Sequence, residues 1–71
     1  MSEEVEKLKA LATNTRLLPS ERVKAIEVLG DIGTREALLA LLDIGGQSAL
    51  LPSERSFALG KVNEIIKSGA T

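Results

Sequence analysis

The sequence contains no cysteine, histidine, tryptophan or tyrosine, and Phe57 is its single aromatic residue. Without cysteine no disulfide can staple the chain, and without cysteine and histidine the common zinc patterns are excluded. The same gaps thin the catalytic inventory to carboxylates, lysines and hydroxyls. Neither sign of charge dominates: nine Lys and Arg face ten Asp and Glu, for a net charge of −1. That balance supplies neither the basic footprint of a nucleic-acid binder nor the acidic composition of a disordered tail. The longest apolar run, Ala37 to Leu42, is far short of the roughly 18–20 residues that span a bilayer. The opening segment MSEEVEKLKA is charged where a secretory signal would be apolar. These absences predict a soluble, cytoplasmic chain with no membrane partner, no metal, no cofactor and no enzymatic activity.

Seventy-one residues make one domain, residues 1–71, and a chain of that size hides only about 60% of the surface its unfolded form exposes. A single core this small rarely contributes more than ~3–5 kcal/mol, and the usual supplements are disulfides, metals or association. With the first two excluded, association with a second copy or with a partner protein remains. The initiating Met1 favours a whole gene product over a piece of a longer array.

Periodicity and punctuation predict four helices and no strand. The first covers about Ser2 to Ala12, with Ser2 as N-cap, Val5, Leu8, Leu11 and Ala12 on one side, and an i,i+4 pair between Glu3 and Lys7. The second covers about Ser20 to Ile32, announced by Pro19 and Ser20 and stopped by Gly33. The third covers Arg35 to Ile44, capped by Thr34 and ended by Gly45–Gly46, a pair that tolerates positive φ. The fourth covers about Ser53 to Lys67, announced by Pro52 and Ser53 and ended near Gly69.

One hexamer occurs twice: LLPSER at 17–22 returns at 50–55, an offset of 33. At that shift Glu3 falls on Glu36, Leu8 on Leu41, Ala25 on Ala58 and Ile32 on Ile65, without a gap. The chain therefore reads as two copies of helix, loop, helix. A period in the low thirties built from helical hairpins is the mark of an α-solenoid, in which each hairpin hides its apolar face by stacking on a neighbour.

The stretch RVKAIEVLGDIGTREALLALL, Arg22 to Leu42, resembles the HEAT-like repeat of the phycobilin lyase type. That family pairs an A helix ending in a leucine-glycine-x-isoleucine-glycine element with a B helix rich in small and aliphatic residues. Leu29, Gly30, Asp31, Ile32 and Gly33 form the element; Arg22, Ala25 and Val28 match the A helix; Ala37, Leu38, Leu41 and Leu42 match buried positions of the B helix. The family often has aspartate then proline between its helices, where this chain has Thr34 and Arg35. A shift of 30 would align ALGKV, Ala58–Val62, with VLGDI, Val28–Ile32, but it would put Pro52 inside a helix and Arg55 in a buried slot. The shift of 33 is therefore preferred, and about one full repeat plus two half repeats are covered. The resemblance implies an all-α, short α-solenoid fragment of four helices in the order B, A, B, A. It says little about function, because such repeats scaffold many unrelated proteins.

That order has consequences. The third helix lies in the middle and is expected to be covered by the others, which accounts for ALLALL being apolar almost all round. The first helix shows a capping polar face, with Glu6, Lys7 and Lys9 where the third has Leu39, Ala40 and Leu42. No closing helix follows the fourth, and Phe57, Leu59, Val62 and Ile66 cannot all face inward on one stripe. These four, with Leu39, are the expected interface, unless the loop at Gln47–Leu51 folds over that end.

Other chemistry is weaker. Glu21 with Glu54, or Glu27 with Asp31, could be imagined as acid–base pairs, but their surroundings are ordinary helix surface. Gly30 and Gly33 lack the spacing and preceding strand of a phosphate loop, and suit close packing and a tight stop instead. The repeated Glu21–Arg22 and Glu54–Arg55 could ladder between stacked hairpins, which matters only if the ladder is buried. A helix-turn-helix over Val23 to Leu42 would present REALLALLD, which has few polar side chains for base edges. The function expected is a non-enzymatic protein–protein interaction module that self-associates, most simply as a homodimer, or docks on a partner protein. A small accessory or chaperone-like subunit of an enzyme system, as the lyase-type resemblance implies, comes second, and a nucleic-acid adaptor third.

Overall fold

A computed structural model of the chain describes residues 2–69. It is all-helical: α1 (Glu3–Ala12), α2 (Pro19–Ile32), α3 (Arg35–Gly45) and α4 (Pro52–Ser68), with no strand among the described residues. Each helix starts and stops for local reasons. Ser2 caps α1, its hydroxyl accepting from the Val5 N–H at 3.4 Å, with Glu3, Glu4 and Glu6 in the first turn where the helix dipole favours negative charge. Thr34 caps α3, accepting from the Ala37 N–H at 3.2 Å. Between α2 and α3, Gly33 takes the left-handed conformation at φ 64°, where a side chain would be strained, and its N–H donates to the Leu29 carbonyl.

The starts of α2 and α4 differ from the expected serine caps. Both helices begin one residue earlier, at Pro19 and Pro52, so Ser20 and Ser53 sit in the second helical position, past the cap. The cap residues are Leu18 and Leu51, whose side chains can accept nothing. Instead Glu21 and Glu54 reach back, and an Oε1 of each accepts from the leucine N–H, at 2.9 and 3.1 Å. Proline suits the first helical position because its missing N–H would have been unpaired there anyway.

Gly45 and Gly46 also play a different part from the one expected. Neither has positive φ; Gly46 has φ −93°. What matters at Gly45 is proximity, since a Cβ there would lie 2.6 Å from the Leu59 Cδ2, so α3 and α4 approach closely at this point.

The helices pack as two successive pairs, α1 with α2 and α3 with α4. The pairs meet through α2 against α4 and α3, and through α1 against α3; α1 and α4 do not touch. Ile26, Leu29, Leu41 and Ile44 are fully enclosed at the centre, within a core that also takes in Val5, Ala25, Leu38, Ala58 and Ile65. Burying each large side chain contributes about 1.5–3 kcal/mol. Two expectations about facing are corrected here. The third helix is not covered all round: Leu39 and Leu42 are exposed, because only α1, α2 and α4 pack on it and none covers that side. Leu11, expected inward on α1, is also exposed.

Local structure recurs at the same offset as the letters. The turn after α1 has the Asn14 N–H donating to the Leu11 carbonyl and Leu17 to Asn14; the turn after α3 has Gln47 donating to Ile44 and Leu50 to Gln47, all between 3.1 and 3.2 Å. Leu18 and Leu51, one shift apart, have nearly the same backbone angles, φ −67° and ψ 148° against φ −65° and ψ 147°. The repetition in the letters is thus a repetition in backbone hydrogen bonding.

Candidate interaction surface and the buried ion pair

The second LLPSER supplies an acid and the first supplies a base, and the two meet inside the protein. Arg22 Nη2 and Nε donate to Glu54 Oε2 at 2.8 and 3.2 Å, with both residues buried (6% and 2% exposed). The Arg22 Nη1 turns the other way, donating to the Leu17 carbonyl at 2.6 Å and more distantly to that of Asn14. The glutamate is equally engaged: its Oε1 holds the Leu51 N–H while its Oε2 takes the arginine. A buried ion pair is worth having only when its remaining hydrogen-bonding capacity is satisfied, and here the loop carbonyls and the helix cap do that. The pair ties the loop of one helix pair to the helix start of the next. A surface bridge runs parallel to it, from Lys9 Nζ to Asp43 Oδ2 at 2.8 Å, and that hydrogen bond raises the Lys9 pKa.

The other members of the expected ladder, Glu21 and Arg55, are not paired with each other among the described residues. Glu21 is exposed. Arg55 is half-buried, and its Nε is enclosed without a hydrogen-bond partner among the described residues. Buried nitrogens of this kind are uncommon, because an unmade hydrogen bond away from water costs about 1–3 kcal/mol.

The five expected interface residues divide. Leu39, Leu59 and Ile66 are exposed; Phe57 is half-buried against the core beneath Lys61, whose Nζ lies 5.1 Å from the ring centre; Val62 is buried in the core. Leu42, Leu11, Val28 and Ile32 are exposed apolar side chains that the expected set omitted. A groove of about 600 Å³ opens between α1 and α2, lined by Leu8, Leu11, Leu17, Ala25 and Val28, with Glu21 and Lys24 beside them.

The imagined acid–base pairs are not brought into a common site: Glu27 and Asp31 are both exposed, and Glu54 is committed to Arg22 while Glu21 faces solvent. No group of three or more potential metal ligands occurs among the described residues, and no helix among them is long and apolar enough to cross a membrane. Comparison with protein-family models, with curated proteins and with solved structures gives no significant match.

Proposed function

We propose that this chain is a non-enzymatic protein–protein interaction module, a short HEAT-like α-solenoid fragment that binds further copies of itself or a partner protein through its uncovered apolar ends. The observation that carries the reading is the exposure of Leu39, Leu42, Leu59 and Ile66 on the second helix pair together with Leu11, Val28 and Ile32 on the first. Single exposed apolar residues are ordinary, but Leu11 and Val28 share one open groove, and Ile44 and Ile26, the counterparts of Leu11 and Leu59 one shift away, are fully buried. The matched recurrence of sequence and of turn hydrogen bonds supports the repeat reading.

The test is a dilution series followed by amide chemical shifts. Association through the ends predicts concentration-dependent shifts at Leu11, Val28, Ile32, Leu42, Leu59 and Ile66, and stationary shifts at the exposed polar positions Glu27, Asn63 and Glu64. Spectra that are unchanged over the whole dilution range, with no partner added, would remove self-association from the proposal.

A further inference from the structure

Equivalent positions in the two helix pairs have the same local structure, so a difference in their exposure measures what a neighbouring pair covers. Ile44 is fully buried, while its counterpart Leu11 is 46% exposed. Glu54 is buried and Glu21 is not; Leu50 is buried and Leu17 only half so. The second pair therefore uses this face to sit on the first, and on the first pair the same face stands open as the groove between α1 and α2. The opposite face shows the reverse asymmetry. Ile26 is fully buried and Arg22 nearly so, while their counterparts Leu59 and Arg55 are 45% exposed and half-buried.

Each half of the internal junction is thus present a second time, unused, at the two ends of the molecule. The chemistry of the spare halves matches as well. Glu21 Oε1 already accepts from the Leu18 N–H, as Glu54 Oε1 accepts from Leu51, so the spare carboxylate is held in the manner of the used one, with its Oε2 free of protein partners among the described residues. Arg55 offers a guanidinium whose Nε is shut off from water and unpaired, the atom that in Arg22 donates to Glu54.

Resting on the self-association reading above, we infer that two copies of this chain stack head to tail, with Arg55 of one copy bonded to Glu21 of the next and Leu59 entering the groove lined by Leu8, Leu11 and Val28. The contact repeats, between molecules, the junction that joins the two helix pairs within one. It is heterologous, so a dimer formed this way keeps one spare face of each kind and growth does not stop at two unless the rotation closes a ring. A polar bond left unmade in each free copy and made in the stack also fixes the register, since a slipped stack would bury both charges unpaired.

The test uses the whole chain and two charge variants in sedimentation velocity. Glu21→Lys spoils the groove but keeps the Arg55 face, and Arg55→Ala does the opposite without offering the new lysine an acidic partner. Each variant alone is expected to sediment as a monomer at concentrations where the unmodified chain associates. An equimolar mixture is expected to form a complex that stops at two, because only one productive junction is available. Because Glu21 also caps α2, Glu21→Gln serves as a second variant that keeps an oxygen for the Leu18 N–H while losing the charge; association is expected to weaken about tenfold with the helix content unchanged. If the unmodified chain associates and the variants associate equally well, this geometry is wrong and the interaction-module reading stands. If the unmodified chain stays monomeric, this geometry and the self-association it rests on are both wrong.

Discussion

Arg22 gives up its hydration to sit between the loop carbonyls of its own helix pair and the carboxylate of the next, and Glu54 makes the matching exchange. Removing one member leaves the other buried and uncompensated. Arg22→Ala or Glu54→Ala should each destabilise the fold by about 3–5 kcal/mol, enough to unfold much of a domain this small in urea-free buffer, as circular dichroism would show. Replacing both at once with apolar residues of similar volume, Arg22→Met with Glu54→Leu, should restore most of that loss, because the pair's desolvation cost disappears with it. A double variant no more stable than either single one would mean that the pair's net contribution is large. Among the apolar side chains, fully buried Leu41 and exposed Leu39 form a matched contrast on one helix. Leu41→Ala should cost about 2–5 kcal/mol by urea denaturation, and Leu39→Ala should stay within about 0.5 kcal/mol. Equal losses would show that the two faces of α3 have been exchanged.

The helices themselves are decided by short-range chemistry, which is why their number, order and approximate limits are legible in the letters. Thr34 and Ser2 cap as expected because a hydroxyl next to a helical run has one obvious partner. Thr34→Ala should cost about 1 kcal/mol, and Gly33→Ala about 1–2 kcal/mol because its φ is positive. In a domain of this length each kcal/mol lowers the melting temperature by roughly 4–8 °C, readable in a thermal scan. The starts of α2 and α4 depart from the serine-cap expectation for a definite reason. Proline occupies the first helical position, so the serine after it is already inside the helix, and the N–H needing an acceptor is found by the glutamate instead. Gly45 reads locally as a conformational stop, yet its role is set by Leu59 on the following helix, which no local rule reveals.

Facing is a property of the whole molecule, and it was the least legible feature. Leu11 and Leu42 carry the periodicity of buried residues, and their counterparts one repeat away, Ile44 and Lys9, are fully buried and half-buried. What exposes Leu11 and Leu42 is that no further helix packs on those faces. The ladder of Glu and Arg is visible in the repeated hexamer, but whether a rung is buried depends on how closely α2 and α4 approach, and the letters do not give that separation. Val62, expected at the interface, belongs to the core for the same reason: with Ile65 it fills the seam beneath α4, leaving Leu59 and Ile66 outside. The proposal that these outer residues bind further copies makes a direct statement about mass. Sedimentation equilibrium of the unmodified chain should give a weight-average mass that climbs with concentration above the 7.5 kDa of one copy, and above twice that value at the highest loading. A folded species holding at the mass of a single copy across the whole range would contradict the account.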